Sequence, residues 1–336
     1  MLRLYQQVGV AWLWHIHNNS LGGLLADEMG LGKTVQALAF MEALRQHRPE
    51  DGPCLVVCPA SLVENWRREA RRFTPALKVL AHHGQSRESS PEYLKRFDLV
   101  ITSYGTLARD VGSFALVNWG TATCDEGQNI KNPRAQAAKA VKQLVAKGRY
   151  ILTGTPVENS LEDLRSLFGF LMPGYLPKPE ERVQAEERKW HDDRLLQMAA
   201  PYILRRSKVA VAPELPAKIE QIVYCDFEDN QKKIYDEILE STRQEIFEME
   251  MGGATQARIQ MAAFNQLLRL RQICADPRIL DPKMEEGDSA KLQAFLELVE
   301  ESKDAGHRML VFSTFVTALQ LLKEALEDRD IPYCYL

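Results

Sequence analysis

No run of apolar residues in this 336-residue sequence approaches the length of a membrane-spanning helix, which argues against a membrane protein. The six cysteines are scattered along the chain and form no C-x-x-C pair. This spacing predicts buried, reduced thiols and argues against both a disulfide framework and a zinc site. Together, the two absences predict a cytoplasmic protein that has no membrane partner.

An excess of basic residues is also missing, because 42 Lys and Arg residues are opposed by 46 Asp and Glu residues. The chain as a whole is therefore not a basic nucleic-acid-binding protein, although one basic cleft would be enough to hold DNA. The hydrophobic content of 45% is typical of a globular protein, and 336 residues exceed the usual size of one domain. We therefore expect two domains.

The most informative stretch runs from Gly22 to Thr34 and reads as a short apolar strand, a glycine-containing turn and the start of a helix. Gly30 and Gly32 let the backbone approach a ligand and point N–H groups inward, and the helix adds its positive end. Lys33 supplies a cation for the β- and γ-phosphates, and Thr34 supplies a hydroxyl for Mg²⁺. The stretch predicts a phosphate-binding loop with a metal site.

One position departs from the common P-loop pattern G-x-x-x-x-G-K-[ST], because Asp27 stands where the first glycine is expected. Taken alone, the stretch has an alternative interpretation as an ordinary helix N-terminus that contains glycine. The octet from Asp27 to Thr34, however, resembles motif I of the Snf2 family of helicase-like, DNA-dependent ATPases. The resemblance implies that Asp27, Gly30, Gly32, Lys33 and Thr34 bind nucleotide.

A second group of candidate catalytic residues follows the strand-like run Thr121–Cys124. Asp125 and Glu126 form a Walker B arrangement, in which Asp125 holds Mg²⁺ and Glu126 orients and deprotonates the attacking water. We expect their strand to lie beside the P-loop strand, because ligands of α/β sheets bind at the carboxyl ends of strands. A lone acidic pair would otherwise be interpreted as a surface turn.

The string from Asp125 to Gln128 resembles motif II of the same family, which adds Gln128 to the nucleotide-binding candidates. Two departures from the family pattern stand out. The run Thr121–Cys124 is less aliphatic than usual, which predicts a looser strand, and Gly127 stands where the family more often has alanine.

Residues 2–17 are predicted to form a helix, because apolar residues recur at helical spacing. Its predicted core face consists of Leu4, Val8, Ala11 and Trp12. Gln6 matches the Q motif of the family, whose glutamine hydrogen-bonds adenine, and an amide can both donate to and accept from the adenine edge. A solvent-exposed amide is the alternative interpretation.

Two further segments resemble family motifs that contact DNA. Pro59–Trp66 resembles motif Ia, where Ser61 is the predicted N-cap of a helix, Glu64 completes a capping box, and Ser61 is a candidate contact to a DNA phosphate. Leu99–Tyr104 resembles motif Ib, which makes Ser103 a second candidate DNA contact. The alternative for the first segment is simply a well-capped helix.

Tyr150–Asn159 resembles motif III, which couples the nucleotide site to the DNA cleft in the family. The hydroxyls of Thr153 and Thr155 are predicted to reach Glu126 or its water, and Thr155 is the third candidate DNA contact. A Gly-Thr-Pro turn without this role is the alternative. Leu204–Lys208 resembles a signature near the end of the first lobe, and its basic residues are expected to face either phosphate or solvent.

Pro213 and Pro216 mark the expected domain boundary. Residues 1–210 are predicted to be an N-terminal RecA-like lobe that carries motifs Q, I, Ia, Ib, II and III. Residues 211–220 are the predicted linker, and residues 221–336 the start of a C-terminal lobe with a helical insertion.

In this second lobe, strands are predicted over 219–227, over 309–315, which resembles motif IV, and over 333–336. No segment matches motifs V and VI, so the chain is expected to be truncated within the lobe. In the family, motif VI supplies arginines that stabilise charge on the transferring phosphoryl group, and such arginines are worth about 10³–10⁵ in rate.

The resemblance covers essentially the whole chain and implies an α/β fold of two RecA-like P-loop NTPase lobes with parallel sheets, the second incomplete. It implies an enzyme of bacterial type that hydrolyses ATP with Mg and translocates along double-stranded DNA. Analogy with a bacterial relative names RNA polymerase, or another DNA-bound complex, as a partner. Two alternatives stay open: a nucleotide- and DNA-binding fragment without useful turnover, and an RNA helicase.

Overall fold

The computed structural model describes residues 2–84, 87–154, 161–177, 185–211 and 220–335. The chain divides into two compact units, residues 1–217 and 218–336. Most of the predicted linker at 211–220 lies outside the described residues, and the predicted lobe boundaries stay predictions.

Strands and helices alternate along the first unit. Its described strands are β1 (Gly23–Leu25), β2 (Cys54–Cys58), β3 (Val79–His82), β4 (Leu99–Ser103), β5 (Asn118–Asp125), β6 (Val145–Leu152) and β7 (Ile203–Leu204). Its described helices are α1 (Leu4–Asn18), α2 (Lys33–His47), α3 (Val63–Phe73), α4 (Pro91–Leu94), α5 (Tyr104–Phe114), α6 (Gln136–Lys142), α7 (Leu161–Leu171), α8 (Ala185–Ala199) and α9 (Lys208–Val211).

The strands form one parallel sheet in the order β3-β4-β2-β5-β6-β1-β7. Neighbouring parallel strands need crossover connections, which explains the alternation with helices. Every residue of β2 and β4 is buried, as expected for strands that are covered on both faces. The predicted α/β fold with a parallel sheet is confirmed.

Two apolar cores flank the sheet, and the alternation of side chains along β2 separates them. Leu55 and Val57 belong to the core that the sheet forms with α5, α6 and α7. Val56 and Cys58 belong to the core on the other face, with α1, α2 and α3. Helices therefore cover both faces of the sheet, and the ends of the strands are where a site can form.

The prediction of a loose strand before Asp125 is wrong. Strand β5 runs from Asn118 to Asp125 and is buried at every residue after Asn118. It pairs with β2 on one side and β6 on the other. Both neighbours supply backbone hydrogen bonds, so the strand is paired on both sides although it carries threonines, and Thr123 is buried.

Helix α1 forms as predicted, but its predicted core face is wrong for Leu4, Val8 and Ala11, whereas Trp12 packs against the core as predicted. Leu4 and Val8 are 77% and 54% exposed. The buried residues are Gly9, Leu13, Ile16 and His17. The helix joins the core from Gly9 onward, because its first turn lies beside the P-loop and makes polar contacts there.

The second unit is helical in its described residues, with α10 (Asp229–Met251), α11 (Gln256–Ala275), α12 (Ala290–Asp304) and α13 (Val316–Glu327). Gln231 of α10 is fully buried and connects two other helices. Its Nε2 donates to the carbonyl of Ile273 at 2.7 Å, and its Oε1 accepts from the backbone N–H of Ala290 at 3.2 Å. A small apolar cluster of Leu292, Leu296 and Ala325 joins α12 to α13.

The strands predicted in this unit do not form among its described residues. Segments 220–227, 309–315 and 333–335 have irregular backbone, and Leu310 and Phe312 are 85% and 88% exposed. An apolar run becomes a strand only when a neighbouring strand supplies hydrogen bonds to its backbone. The described part of the unit provides no such neighbour.

Three of the six cysteines are buried free thiols, as predicted: Cys54, Cys58 and Cys124. Burial raises the pKa of Cys54 and of Cys58 to about 12, so both stay protonated. The prediction of burial is wrong for Cys334, which is exposed. Among the described helices, none is both long and apolar enough to cross a membrane.

His17 is a buried histidine at the end of α1. Its Nδ1 lies 3.1 Å from the hydroxyl of Tyr150, and its Nε2 lies 2.8 Å from Oδ2 of Asp51. Burial lowers the pKa of His17, and the hydrogen bond and charge of Asp51 oppose that shift. The folded chain therefore favours neutral His17 more than the unfolded chain does.

We expect this histidine to make the fold acid-sensitive. Below about pH 6.5 the unfolded chain binds a proton that folded His17 resists, so stability falls as the pH drops through this range. In His17→Gln, which does not titrate, the melting temperature should change less between pH 7.5 and pH 5.5. Equal slopes for the two proteins would contradict the assignment.

Candidate active site

The P-loop connects β1 to α2 and has the glycine geometry that the sequence predicts. Gly30 has φ 89°, and Gly32, the N-cap of α2, has φ 76°. Both angles lie in the left-handed region that glycine adopts without steric cost. Thr34 lies in the first turn of α2 and is half-buried.

The side chain of Lys33 folds back and contacts backbone carbonyls of the P-loop. Its Nζ donates to the carbonyl of Asp27 at 2.7 Å and lies 3.5 Å from the carbonyl of Glu28. Burial lowers the pKa of Lys33, and the charges of Asp27, Glu126, Asp125 and Glu28 oppose that shift. The amine therefore lies within electrostatic reach of both predicted catalytic acids.

The acid pair lies at the carboxyl end of β5, but the prediction that β5 adjoins the P-loop strand is wrong. Strand β6 lies between β5 and β1. In the register of the sheet, Leu152 of β6 pairs with both Leu25 and Asp125. The loops that follow these three strands therefore leave the sheet side by side, and the strand that carries motif III separates the other two.

Asp125 is 8% exposed, and both of its carboxylate oxygens accept hydrogen bonds. Oδ2 accepts from Nε1 of Trp66 at 2.8 Å, and Oδ1 accepts from the N–H of Glu126 at 2.9 Å. Burial raises the pKa of Asp125, and these two bonds oppose the shift. The hydroxyl of Tyr104 donates to the Asp125 carbonyl at 2.7 Å, which further fixes the end of the strand.

Glu126 has a left-handed backbone, with φ 52° and ψ 64°. This conformation is uncommon for a residue other than glycine and is often found at functional sites. Oε2 of Glu126 accepts from Nε2 of Gln128 at 3.0 Å, and Gln128 is exposed. The turn therefore presents the Glu126 carboxylate and the Gln128 amide together at the surface.

Packing explains why residue 127 is a glycine, although the family more often has alanine at this position. A Cβ at this position would lie 2.5 Å from Cγ2 of Ile151, a buried side chain of β6. The turn after β5 is therefore packed too closely on β6 for an alanine.

The turn after β6 lies against the P-loop. The N–H of Thr153 donates to the carbonyl of Leu25 at 3.1 Å. A Cβ at Gly154 would lie 2.5 Å from Cγ of Met29 and 3.4 Å from Nζ of Lys33. Motif III thus contacts motif I directly, while Thr155 lies outside the described residues.

Gln6 lies on the P-loop, where its amide is hydrogen-bonded. Nε2 donates to the carbonyl of Leu31 at 3.3 Å, and Oε1 accepts from the N–H of Arg3 at 2.9 Å. The hydroxyl of Tyr5 donates to the same Leu31 carbonyl at 3.2 Å. Gln6 is half-buried beside the nucleotide-binding candidates, and its contact with adenine stays a prediction.

The structure gives the two described DNA-contact candidates different surroundings. Ser61 is exposed in a 3-10 turn before α3, but it caps nothing, because Leu62 is the N-cap. The predicted capping box is wrong, since Glu64 pairs with Arg67 instead. Ser103 is 8% exposed.

Ser103 is the N-cap of α5. Its hydroxyl accepts from the N–H of Thr106 at 3.2 Å and donates to Oγ1 of Thr106 at 2.9 Å. Its first role is therefore to cap the helix. Strands β2 and β4 pair Cys58 with Ser103, so Ser61 and Ser103 both follow strands at the same edge as Asp125.

Three supporting residues could not be assigned from the sequence pattern. Trp66 was part of motif Ia, but nothing in the sequence indicated a bond to Asp125. Gln36, on α2, and Arg206, after β7, both bond the carboxylate of Asp27, and Arg206 does so from 179 residues away. The basic residues of the string Leu204–Lys208 were the only signal for Arg206, and they favoured phosphate or solvent.

The residues at this edge suit a magnesium site. Thr34 and Asp125 offer oxygen ligands, which Mg²⁺ prefers, and Mg²⁺ in nucleotide sites takes most of its other ligands from water and phosphate. No cluster of three or more His, Cys, Asp or Glu side chains occurs among the described residues that could hold a metal by itself.

The first unit combines a parallel sheet, a P-loop that contains two glycines with positive φ, and an acid pair at the carboxyl edge of the sheet. This combination defines a RecA-like P-loop NTPase lobe. The family described as the SNF2-related domain matches residues 5–279. The chain belongs to this family, and the predicted resemblance to Snf2 ATPases is confirmed.

Relatives with a name or a solved structure lie in all three domains of life. An uncharacterized ATP-dependent helicase of Mycoplasma pneumoniae is 34% identical over 99% of this chain and 32% of its own length. The ISWI chromatin-remodeling complex ATPase ISW1 of Saccharomyces cerevisiae is 31% identical over 99% of this chain and 31% of its own length. The chain thus spans about a third of the length of these relatives.

The SWI2/SNF2 ATPase core of Sulfolobus solfataricus in complex with double-stranded DNA is similar in structure. Its TM-score is 0.60, with 33% identity over 98% of this chain and 70% of that chain.

We expect Trp66→Phe to destabilise the fold by about 1–3 kcal/mol, because it keeps an aromatic ring but leaves a buried carboxylate oxygen without its donor. Chemical denaturation followed by circular dichroism measures the loss. In the Asp125→Asn background the same substitution should cost less, since the charged acceptor is gone. Equal costs in the two backgrounds would show that the carboxylate charge adds nothing to this hydrogen bond.

We expect Gly127→Ala to destabilise the fold by about 1–3 kcal/mol, because the added methyl overlaps Ile151 in a packed core. Gly112→Ala is the matched control: it lies in α5 with no atom within 4 Å of an added Cβ, and helix propensity predicts a gain of up to about 1 kcal/mol. Thermal unfolding compares the two variants. A neutral Gly127→Ala would refute the packing argument.

Proposed function

We propose that this chain binds and hydrolyses Mg-ATP at the carboxyl edge of the first sheet and couples hydrolysis to movement along double-stranded DNA. One observation carries the proposal: Leu152 of β6 pairs with both Leu25 and Asp125, which brings the P-loop of Lys33 and the acid pair to the same edge of the sheet. The loops that hold them emerge beside each other from strands in register. Membership of the SNF2-related family supports the same activity.

Each candidate has a role that its position supports. Lys33 and the N–H groups of the glycine loop bind the β- and γ-phosphates. Thr34 and Asp125 would hold Mg²⁺, which neutralises phosphate charge in such sites. Glu126 orients the attacking water and takes its proton, a role for which its partly exposed position after β5 is suited.

The remaining nucleotide candidates surround the same loop. Gln6 is the candidate for adenine, since its amide already lies on the P-loop. Gln128 is the candidate for a contact to the γ-phosphate or its water, and its hydrogen bond to the Glu126 carboxylate supports that role. Asp27 is fully buried, so its carboxylate is not accessible to the ligand, and its role is to stabilise the loop.

Helix α3 supports the coupling to DNA. The exposed Ser61 lies in the turn just before it, and Arg68, Arg71 and Arg72 are exposed along it. Its buried side bonds Asp125 through Trp66. DNA phosphates bound at α3 would therefore contact the helix that hydrogen-bonds Asp125, the proposed Mg²⁺ ligand.

The double-stranded DNA substrate is proposed from relatives, because the Sulfolobus core was solved with such DNA and ISW1 is named as a chromatin-remodeling ATPase. Ser61, Ser103 and Thr155 stay the predicted DNA contacts. An RNA polymerase partner stays a prediction.

The ATPase rate of this chain, measured with double-stranded DNA, with RNA and without nucleic acid, tests the proposal. We expect stimulation by double-stranded DNA. Lys33→Ala should abolish ATP binding and turnover, because it removes the phosphate-binding amine. Glu126→Gln should keep binding but lower turnover by about 10²–10⁴-fold, the usual contribution of a general base.

Lys139→Ala, an exposed lysine on α6, is the control and should match the unaltered chain. Turnover that survives Lys33→Ala would refute the proposed site. ATP binding without turnover in the unaltered chain would favour the fragment without useful turnover. Stimulation by RNA alone would favour the RNA helicase.

A further inference from the structure

The P-loop contains a buried charge that its sequence pattern does not explain. Asp27 stands at the position of the first glycine in the common pattern and is 0% exposed. An ionised carboxylate without a partner is costly to bury, so the loop depends on the groups that bond it.

Arg206 supplies the opposite charge in a two-pronged arrangement. Its Nε donates to Oδ1 of Asp27 at 2.9 Å, and its Nη2 donates to Oδ2 at 2.5 Å. The flat guanidinium is the side chain whose geometry matches a carboxylate in this way, and lysine cannot reproduce it.

The guanidinium is itself held in place by three further contacts. It donates to the carbonyl of Tyr5 and, at 2.8 Å, to Oε1 of Gln36, and it lies 5.5 Å from the centre of the Tyr5 ring. Gln36 in turn donates to Oδ2 of Asp27 at 3.2 Å. Carboxylate, guanidinium and amide form a closed network that joins α1, the P-loop and α2.

Backbone hydrogen bonds also connect the segment around Arg206 to the P-loop. The N–H of Ala26 donates to the carbonyl of Leu204 at 2.8 Å, and the N–H of Glu28 donates to the carbonyl of Arg206 at 3.0 Å. The segment after β7 therefore pairs with the loop on both sides of Asp27.

The carbonyl of Asp27 is the acceptor for Nζ of Lys33, at 2.7 Å. The position of this carbonyl sets where the lysine amine lies. The chain of contacts thus runs from Arg206 to the Asp27 carboxylate, through the Asp27 peptide, to the phosphate-binding lysine.

We infer that Arg206 is a positioning residue for the P-loop: by fixing Asp27 from the far end of the first unit, it presets Lys33 for the nucleotide phosphates. The effect on ATP rests on the function proposed above, while the effect on the loop does not. Arg206 touches no reacting atom in this scheme and acts only through Asp27.

A purely structural ion pair would stabilise the whole unit without a particular effect on the loop. Arg278 provides a matched comparison, because it forms the same two-pronged bond with buried Asp276, at 3.0 and 2.8 Å, in the second unit. Arg206→Lys and Arg278→Lys each keep the charge and remove the fork.

Hydrogen exchange of the backbone amides, read by mass spectrometry on the whole chain, tests the inference without nucleotide. In Arg206→Lys, amides of residues 26–33 should exchange about tenfold faster, whereas those of β2 should not change. Arg278→Lys should alter neither segment. Exchange at 26–33 that is unchanged, or that rises only together with β2, would overturn the inference.

Binding of a fluorescent ATP analogue is the second measurement. Arg206→Lys should raise the Kd about tenfold, and Arg278→Lys should leave it unchanged. If Arg206→Lys binds as tightly as the unaltered chain, the positioning role is overturned although ATP binding stands. If the unaltered chain binds no ATP, the proposed function fails, and the exchange result still decides whether Arg206 holds the loop.

Discussion

Parallel pairing of β6 with both β1 and β5 is the constraint on which the candidate site depends. Since Leu152 pairs with Leu25 on one side and Asp125 on the other, three loops leave the sheet at the same level. Two of these loops carry the P-loop lysine and the acid pair, and the third passes beside Lys33 at Gly154, where an added Cβ would lie 3.4 Å from the lysine Nζ. Backbone hydrogen bonds within the sheet therefore decide which side chains meet at its edge.

Buried carboxylates then tie this edge to distant parts of the chain. Asp125 needs donors in an apolar setting and takes one from Trp66 on α3, while Asp27 takes two from Arg206 after β7. Because an unpaired buried carboxylate is costly, neither helix nor loop can move without affecting its partner. The P-loop is thus held by Arg206 and the acid pair by Trp66. The sequence patterns around these two residues indicated other roles for their segments.

The sequence predicted strands and loop conformations well where these depend only on residues nearby in the chain. Positive φ at Gly30 and Gly32 follows from the glycines themselves, and the fully buried β2 and β4 follow from continuous apolar runs. The same reasoning failed where burial depends on neighbours. Threonines did not loosen β5, because strands pair with it on both sides, and the apolar run at 309–315 is not a strand, because no described strand of its unit lies beside it.

The sequence by itself determined the family, the P-loop with Lys33 and Thr34, and the acid pair Asp125–Glu126, because these depend on residue types at short spacing. Only the tertiary structure decided that β6 separates the two motifs, that Trp66 holds Asp125, and that Arg206 holds Asp27. Sheet order and contacts between residues 59 or 179 positions apart arise from packing of the whole unit, which no local pattern encodes.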